Sequence, residues 1–378
     1  MMQALETMTS SETPTKAPGA KSGRPFFRWR QVEDGDRSGI ARLVICLLAL
    51  LLAAVMVFSL TAGASDVGPA TLFSAWFGTG DISMRDDIIL HSIRLPRVVL
   101  GALVGAGLAV SGAVMQGLFR NPLADPGIIG VSSGAGLGAA FVIVLGGLLP
   151  ASLAAAAGFY MLPIAAFFGA LAVTTLLYRI GTRSGQTSIA TMLLAGIAIA
   201  ALSGACIGLL VFIADDQQLR DLNFWGLGSL AGANWDKVLS AGPVIGLVLV
   251  AMPLLGKGLN GLFMGEAVAG HMGINVQRLK RMAIVTVSAA TGASVAVSGG
   301  IGFVGIVVPH LLRLVIGPDN RYLLPASALL GGSMLVLADT ASRIMVAPAE
   351  LPIGILTALA GAPFFLWVLL GRKGLNTQ

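Results

Sequence analysis

Gly130-Val131-Ser132-Ser133-Gly134 fits G-x-S-x-G, the pattern of a strained turn that presents a serine nucleophile. In that reading His310 is the base and the reaction is hydrolysis through an acyl-enzyme. The pattern needs a strand before the serine and a helix after it, and no strand is predicted here. Gly130, Gly134 and Gly138 also recur every four residues, which makes a smooth ridge for helix contact. Packing is the stronger reading, and no catalytic residue is assigned. His91, His271 and His310 fall in three separate loops or helix ends, as surface or capping residues rather than ligands of a metal or haem. Cys46 and Cys206 lie in apolar runs without metal-ligand spacing and read as small buried residues. No metal site is expected. Gly256-Lys257-Gly258 lacks the glycine spacing and the hydroxyl residue of a phosphate-binding loop, so ATP hydrolysis must come from elsewhere if it is used. Gly299-Gly300-Ile301-Gly302-Phe303-Val304-Gly305 reads as a tight turn with close helix contact.

The elements around these residues are apolar almost throughout. Of 378 residues, 56% are hydrophobic and only 11% charged, with a mean hydropathy of +0.86. A soluble domain carries about a quarter charged residues, so the solvent around most of this chain is lipid. The expected fold is all-α, a polytopic integral membrane protein with about ten transmembrane helices. The first apolar run covers 43–62. The others cover roughly 94–117, 127–147, 152–178, 188–213, 238–256, 281–298, 301–316, 323–345 and 352–371. The run at 301–316 is short and Gly-rich and is expected to be tilted or incompletely spanning. Residues 1–42 are polar and Ser/Thr/Pro-rich, and read as a disordered cytoplasmic tail. The ten-helix domain is 43–371, and 372–378 form a short C-terminal tail on the same side as the first. Ala62-Gly63-Ala64 imitates a signal-peptidase site, but the long polar stretch before it favours an uncleaved helix.

Ten spans put both termini on one side. Eighteen of the 24 Lys/Arg residues then share that side with the termini, and the other side holds Arg85, Arg94, Arg97, Arg220, Lys237 and Arg343. This asymmetry places the termini in the cytoplasm. It also accounts for a net charge of +6 and a pI near 9.7 without any nucleic-acid partner. The spans are nearly free of charge. Asp339 is the main exception, with Arg343 one helical turn later as a structural pair. So few carboxylates within the membrane weigh against an ion-coupled carrier.

Three stretches carry a resemblance. The first is Arg94-Leu95-Pro96-Arg97, then Ser111-Gly112-Ala113-Val114-Met115-Gln116 and Asn121-Pro122-Leu123-Ala124-Asp125-Pro126. The second is Gly302 through His310 with Arg313, and the third is Ala338-Asp339, Arg343, Glu350-Leu351-Pro352-Ile353-Gly354 and Gly361-Ala362-Pro363-Phe364-Phe365. From about residue 43 to 371 the chain resembles the permease subunits of bacterial ABC importers for vitamin B12, ferric siderophores and haem. The runs Arg120–Gly134 and Trp225–Trp235 look most like haem permeases, with siderophore permeases close behind.

The resemblance implies an inner-membrane, multi-pass homodimer seated on two copies of a cytoplasmic ATPase and fed by a periplasmic binding protein. The chain itself binds no cofactor; ATP and Mg belong to the ATPase. Arg94, Arg97 and Arg343 are implied as docking points for the binding protein, at the outer membrane edge. Gly265-Glu266-Ala267-Val268-Ala269-Gly270-His271-Met272-Gly273 is implied as the segment that couples to the ATPase, with its small residues letting it seat deeply. Asn121 and Leu123, with Thr187 and Ser188, are implied as the cytoplasmic gate. In the fifth span Ile189 and Ala190 stand where relatives have hydroxyl residues. The substrate path is implied between the fifth and tenth spans of the two copies, both rich in small residues: Gly196, Gly204 and Gly208 in one, Gly354 and Gly361 in the other.

Overall fold

The computed structural model describes residues 37–63, 68–77, 83–150, 152, 158–184, 186–347 and 349–373. Most of the predicted tail, 1–36, and residues 374–378 lie outside the described residues. Ten apolar helices organise the rest: α1 Ser38–Thr61, α2 Leu95–Phe119, α3 Val131–Leu145, α4 Met161–Gly181, α5 Ile189–Ile213, α6 Trp235–Ala251, α7 Val276–Ser298, α8 Val304–Ile316, α9 Asn320–Met345 and α10 Ile353–Lys373. Among the described residues eight helical segments are long and apolar enough to cross a membrane, and α8 and α10 contribute shorter apolar helices. The expected all-α, ten-helix architecture is therefore present. In a bilayer core each backbone N–H and C=O needs an internal partner, and helices supply it within each segment.

Several helix starts differ from the sequence reading. α1 begins at Ser38, which brings Arg42 from the predicted tail into the helix. The fourth helix runs over Met161–Gly181 rather than 152–178, and residues 153–157 lie outside the described residues. Ser188, Asn234, Asn275 and Asp319 cap α5, α6, α7 and α9, each accepting a backbone N–H of the first turn. α8 has 13 residues, so it rises only about 20 Å at 1.5 Å per residue against a hydrocarbon core of about 30 Å. The expectation of an incompletely spanning element holds. Both thiols are free, and neither is buried as expected: Cys46 is exposed on α1 and Cys206 is half-buried on α5.

α2 is the centre of the bundle. The apolar stretch of its helical segment is 83% buried and that of α7 72%, whereas that of α5 is only 11% buried. α9, α7, α8 and α6 pack around α2; α3 packs on α4, and α1 on α9. Small residues set the closest crossings. Gly105 of α2 faces the Gly331 carbonyl of α9, Gly112 of α2 faces the Gly305 backbone of α8, and Gly134 of α3 faces Gly169 of α4. Gly138 lies against Ala165 on the same α3–α4 seam, so the four-residue glycine ridge is a packing surface. Ser132 opens the first turn of α3 after a 3-10 turn at Pro126–Ile129, with no strand before it, so the nucleophile-elbow context is absent.

A methyl group at Gly112 would overlap the Gly305 backbone, which is not a flexible side-chain end. Gly112→Ala should therefore destabilise the purified protein by about 1–3 kcal/mol. Gly246 of α6 has open space around its Cα, so Gly246→Ala should be neutral or slightly stabilising. Paired thermal melts in one detergent test this difference, and equal melting of the two variants would contradict the crossing.

Candidate functional site

Two polar clusters sit at opposite ends of the helices. The first gathers Arg94, Arg97 and Arg343, three residues the sequence placed together. Arg94 ends a π-helical turn, Ile88–Arg94, that leads into α2, and Arg97 lies one turn further on. Arg97 Nη2 is 2.9 Å from Asp339 Oδ1, and its Nε donates to both Asp339 carboxylate oxygens at 3.0 Å. Arg97 Nη1 reaches Glu350 Oε1 at 2.9 Å. Arg343 Nε lies 3.2 Å from Asp339 Oδ2, while its other nitrogens donate to Ala62 O, Ser59 O and Ser59 Oγ at the end of α1. Arg94 Nη1 donates to Leu60 O on the same helix end.

The arginines do not stand exposed at the membrane edge, and this corrects the sequence reading. Arg94 and Arg97 are each 5% exposed, and the Arg343 side chain 9%. The chain itself supplies partners to each guanidinium, since a buried one without carboxylate or carbonyl partners is costly, although Arg343 Nε, near Asp339, makes no hydrogen bond. Glu350 is the outermost member of the cluster, with 39% of its side chain exposed over Arg97. The Asp339–Arg343 pair is present as expected, but Asp339 serves two arginines.

The other end holds the remaining expected residues. Gly265 through Gly273 lie between α6 and α7, after a helix at Gly256–Phe263, and form the short helix Glu266–His271 with its flanking turns. Its exposed face carries Val268 and Met272, 44% and 64% exposed and one turn apart. Ala267, Gly270, His271 and Gly273 are also exposed. Ala269 is not; it is fully buried and points back toward Gly261. The small residue expected to seat in a partner thus seats in this chain instead.

Between α4 and α5 runs a two-stranded hairpin, Thr182–Arg183 paired with Gln186–Thr187. Thr187 is buried, with its N–H bonded to Gln277 Oε1, and Ser188 is exposed at the cap of α5. Asn121 and Leu123 occupy the turn after α2, which Arg120 ends in the left-handed conformation. Asn121 Oδ1 accepts the N–H of Leu123 at 3.0 Å and closes that turn. The 3-10 turn that follows packs on α5.

α5 presents Leu194, Ile197, Leu202, Leu209 and Phe212 outward, with Gly204 and Gly208 open among them. The α10 glycines do not match that pattern. Gly354 lies against Leu227 O and Gly361 against Phe303 within the same chain, so these two small residues serve internal packing. An apolar groove of about 260 Å³ lies between α4, α6 and α7, lined by Pro163, Phe167, Val244 and Ala296 among others, and contains none of the expected site residues. Among the described residues no cluster of His, Cys, Asp and Glu could hold a metal ion. His91 pairs with Asp87 at 2.9 Å, and His310 meets the Phe364 ring edge-on.

Two polar links escaped the sequence reading. Gln116 of α2 donates to Gly305 O at 3.0 Å, and its side-chain oxygen accepts from Arg313 of α8. Lys280 of α7 is 2% exposed and bonds Glu266 and the Thr187 carbonyl. The signal for both was a polar or charged residue close to a run of apolar ones, but their partners lie far away in sequence.

The FecCD transport family model matches residues 50–371. The hemin transport system permease protein HmuU of Yersinia pestis is 45% identical over 332 residues, 88% of this chain and 96% of that protein. The cobalamin import system permease protein BtuC of Halobacterium salinarum is 46% identical over 286 residues, 76% of this chain and 74% of that one. Among solved structures, a metal-chelate type ABC transporter in an inward-facing conformation matches with a TM-score of 0.76 and 32% identity, covering 87% of this chain and 99% of that one. Family, curated relatives and fold thus agree over nearly all of the apolar region: the protein belongs to the FecCD transport family, as a multi-pass membrane permease of the ABC importer kind and not an enzyme.

Proposed function

We propose that the chain passes haem from a periplasmic binding protein to the cytoplasm through the interface of a homodimer, driven by two copies of a separate ATPase that bind ATP and Mg. The observation that carries haem is the match to the hemin permease along 96% of that protein's length. The cobalamin permease is equally similar over a shorter stretch, and the metal-chelate transporter keeps a ferric siderophore as the next reading. A path without fixed charge suits a planar, largely apolar substrate. The outward apolar face of α5, with its open glycines, gives two copies a surface on which to meet. In this reading the chain sits in the bacterial inner membrane with both termini in the cytoplasm, and Asn121, Leu123, Thr187 and Ser188 narrow the cytoplasmic end of the path.

The ATPase docks on Val268 and Met272, the apolar pair that the segment 265–273 leaves exposed. The binding protein docks over the arginine cluster. There Glu350 covers Arg97, and a glutamate of the binding protein takes its place on the same guanidinium.

Three measurements check these assignments. Proteoliposomes holding the chain, its ATPase and its binding protein should take up haem on addition of ATP. Uptake of cobalamin or a ferric siderophore, with none of haem, would move the substrate. Val268→Glu and Met272→Glu should each lower ATPase capture by about tenfold while the protein inserts normally, because a charge replaces a desolvated anchor. Undiminished capture would place the coupling surface elsewhere. Glu350→Gln should tighten the binding protein at low salt, since it removes the carboxylate that competes for Arg97. Unchanged or weaker binding would argue against docking at the arginines.

A further inference from the structure

Lys280 is among the largest fully buried side chains of the chain, although it carries an ammonium group. Such a charge stays in a protein interior only when its partners are close and well aimed. Its two partners come from two other elements. Nζ donates to Glu266 Oε1 at 2.7 Å, at the start of the short helix Glu266–His271, and to the Thr187 carbonyl at 3.0 Å, on the hairpin before α5. Gln277 lies three residues earlier on the same face of α7 and accepts the Thr187 N–H at 3.1 Å. One face of α7 therefore holds both backbone polar groups of Thr187. The next residue, Ser188, donates its N–H to Gly181 O at 2.8 Å and caps α5 through Oγ.

A continuous polar chain thus runs from Glu266 through Lys280 and Thr187 to the first turn of α5. Stability alone does not call for it, because well-packed apolar residues commonly replace a buried ion pair without loss. A directional linkage is different: it makes one element follow another. Ala269 fixes the same short helix to the bundle by packing, so movement of that helix displaces Glu266.

We propose that Lys280 is a positioning residue that carries movement of the helix Glu266–His271, driven by the ATPase, to Thr187 and the start of α5, and so opens and closes the path at that end. This rests on the importer reading, since it needs an ATPase that moves the helix. The link is a hydrogen-bonded chain with two ends in different elements, so it can be cut at either end.

The test uses the assembled transporter with its native thiols removed (Cys46→Ser, Cys206→Ser) and a single reporter cysteine, Gln186→Cys, placed on the exposed strand beside Thr187. Its labelling rate with a water-soluble maleimide is measured with and without ATP, together with ATPase capture, ATP hydrolysis and uptake. Lys280→Met should keep ATPase capture. Lys280→Met and Glu266→Ala, compared at saturating ATPase, should each abolish the nucleotide dependence of labelling and cut uptake by about tenfold, the size of an ordinary coupling energy. The double variant should be no worse than Lys280→Met alone, because both cut one chain. Glu266 has 42% of its side chain exposed, so Glu266→Ala reads the linkage even if Lys280→Met folds poorly. Nucleotide-dependent labelling that survives in Glu266→Ala, or losses in the double variant that multiply, would overturn the proposal while leaving the importer reading intact. A wild-type chain that captures no ATPase would overturn both.

Discussion

Where α2 crosses α8, the Gly112 backbone rests on the Gly305 backbone with no side chain between them. Much of the bundle depends on this approach. α8 is too short to span the hydrocarbon core alone, so its position must come from what it touches. Gln116, one turn beyond Gly112, reaches the Gly305 carbonyl only because the helices are this close, and Arg313 then reaches Gln116. A second close crossing, Gly105 on Gly331, fixes α9 against the same central helix. Lipid gives helices little reason to associate by burying apolar surface, so van der Waals contact and a few polar bonds must hold them.

The polar bonds gather at the two ends. Asp339 draws the starts and ends of α2, α9 and α1 together through Arg97 and Arg343. Asn260 and Asp319 do the same at the opposite end, where Asn260 Nδ2 donates to Asp319 Oδ1 and Asn260 Oδ1 accepts from the Asn320 backbone. Charge is thus scarce in the middle and paired at the margins. This distribution keeps fixed charge out of the bilayer core, where it is costly, and uses the pairs to hold helix ends together.

The helices were legible in the sequence because a long apolar run in lipid has one stable backbone solution. The glycine ridge of α3 was legible because its four-residue spacing is the helix surface repeat. The arginine cluster was legible as a group, but its burial was not: Arg97 and Asp339 are 242 residues apart, and nothing local predicts that pair. The inward face of Ala269 was hidden for another reason. A helix of six residues is too short to show an apolar periodicity, so inside and outside look alike. Lys280 was hidden by its neighbours. Arg278 and Arg281 beside it belong to the same short basic run, and one member of such a group gives no sign of turning inward.

The break between α7 and α8 has a consequence for how the chain tolerates change. Gly299 and Phe303 have positive φ there, and the segment is bonded to the end of the helix Asp216–Leu227 and the turn after it: Ser229 N–H meets Ser298 O, and Gly300 N–H meets Trp225 O. Gly228 in turn lies against the Gly300 carbonyl. Connecting segments usually accept insertions because water satisfies whatever backbone they expose. These two satisfy each other, so neither can lengthen by a residue without stranding donors and acceptors of the other. They form one packed unit, held to glycine where the two backbones touch and held to a common length.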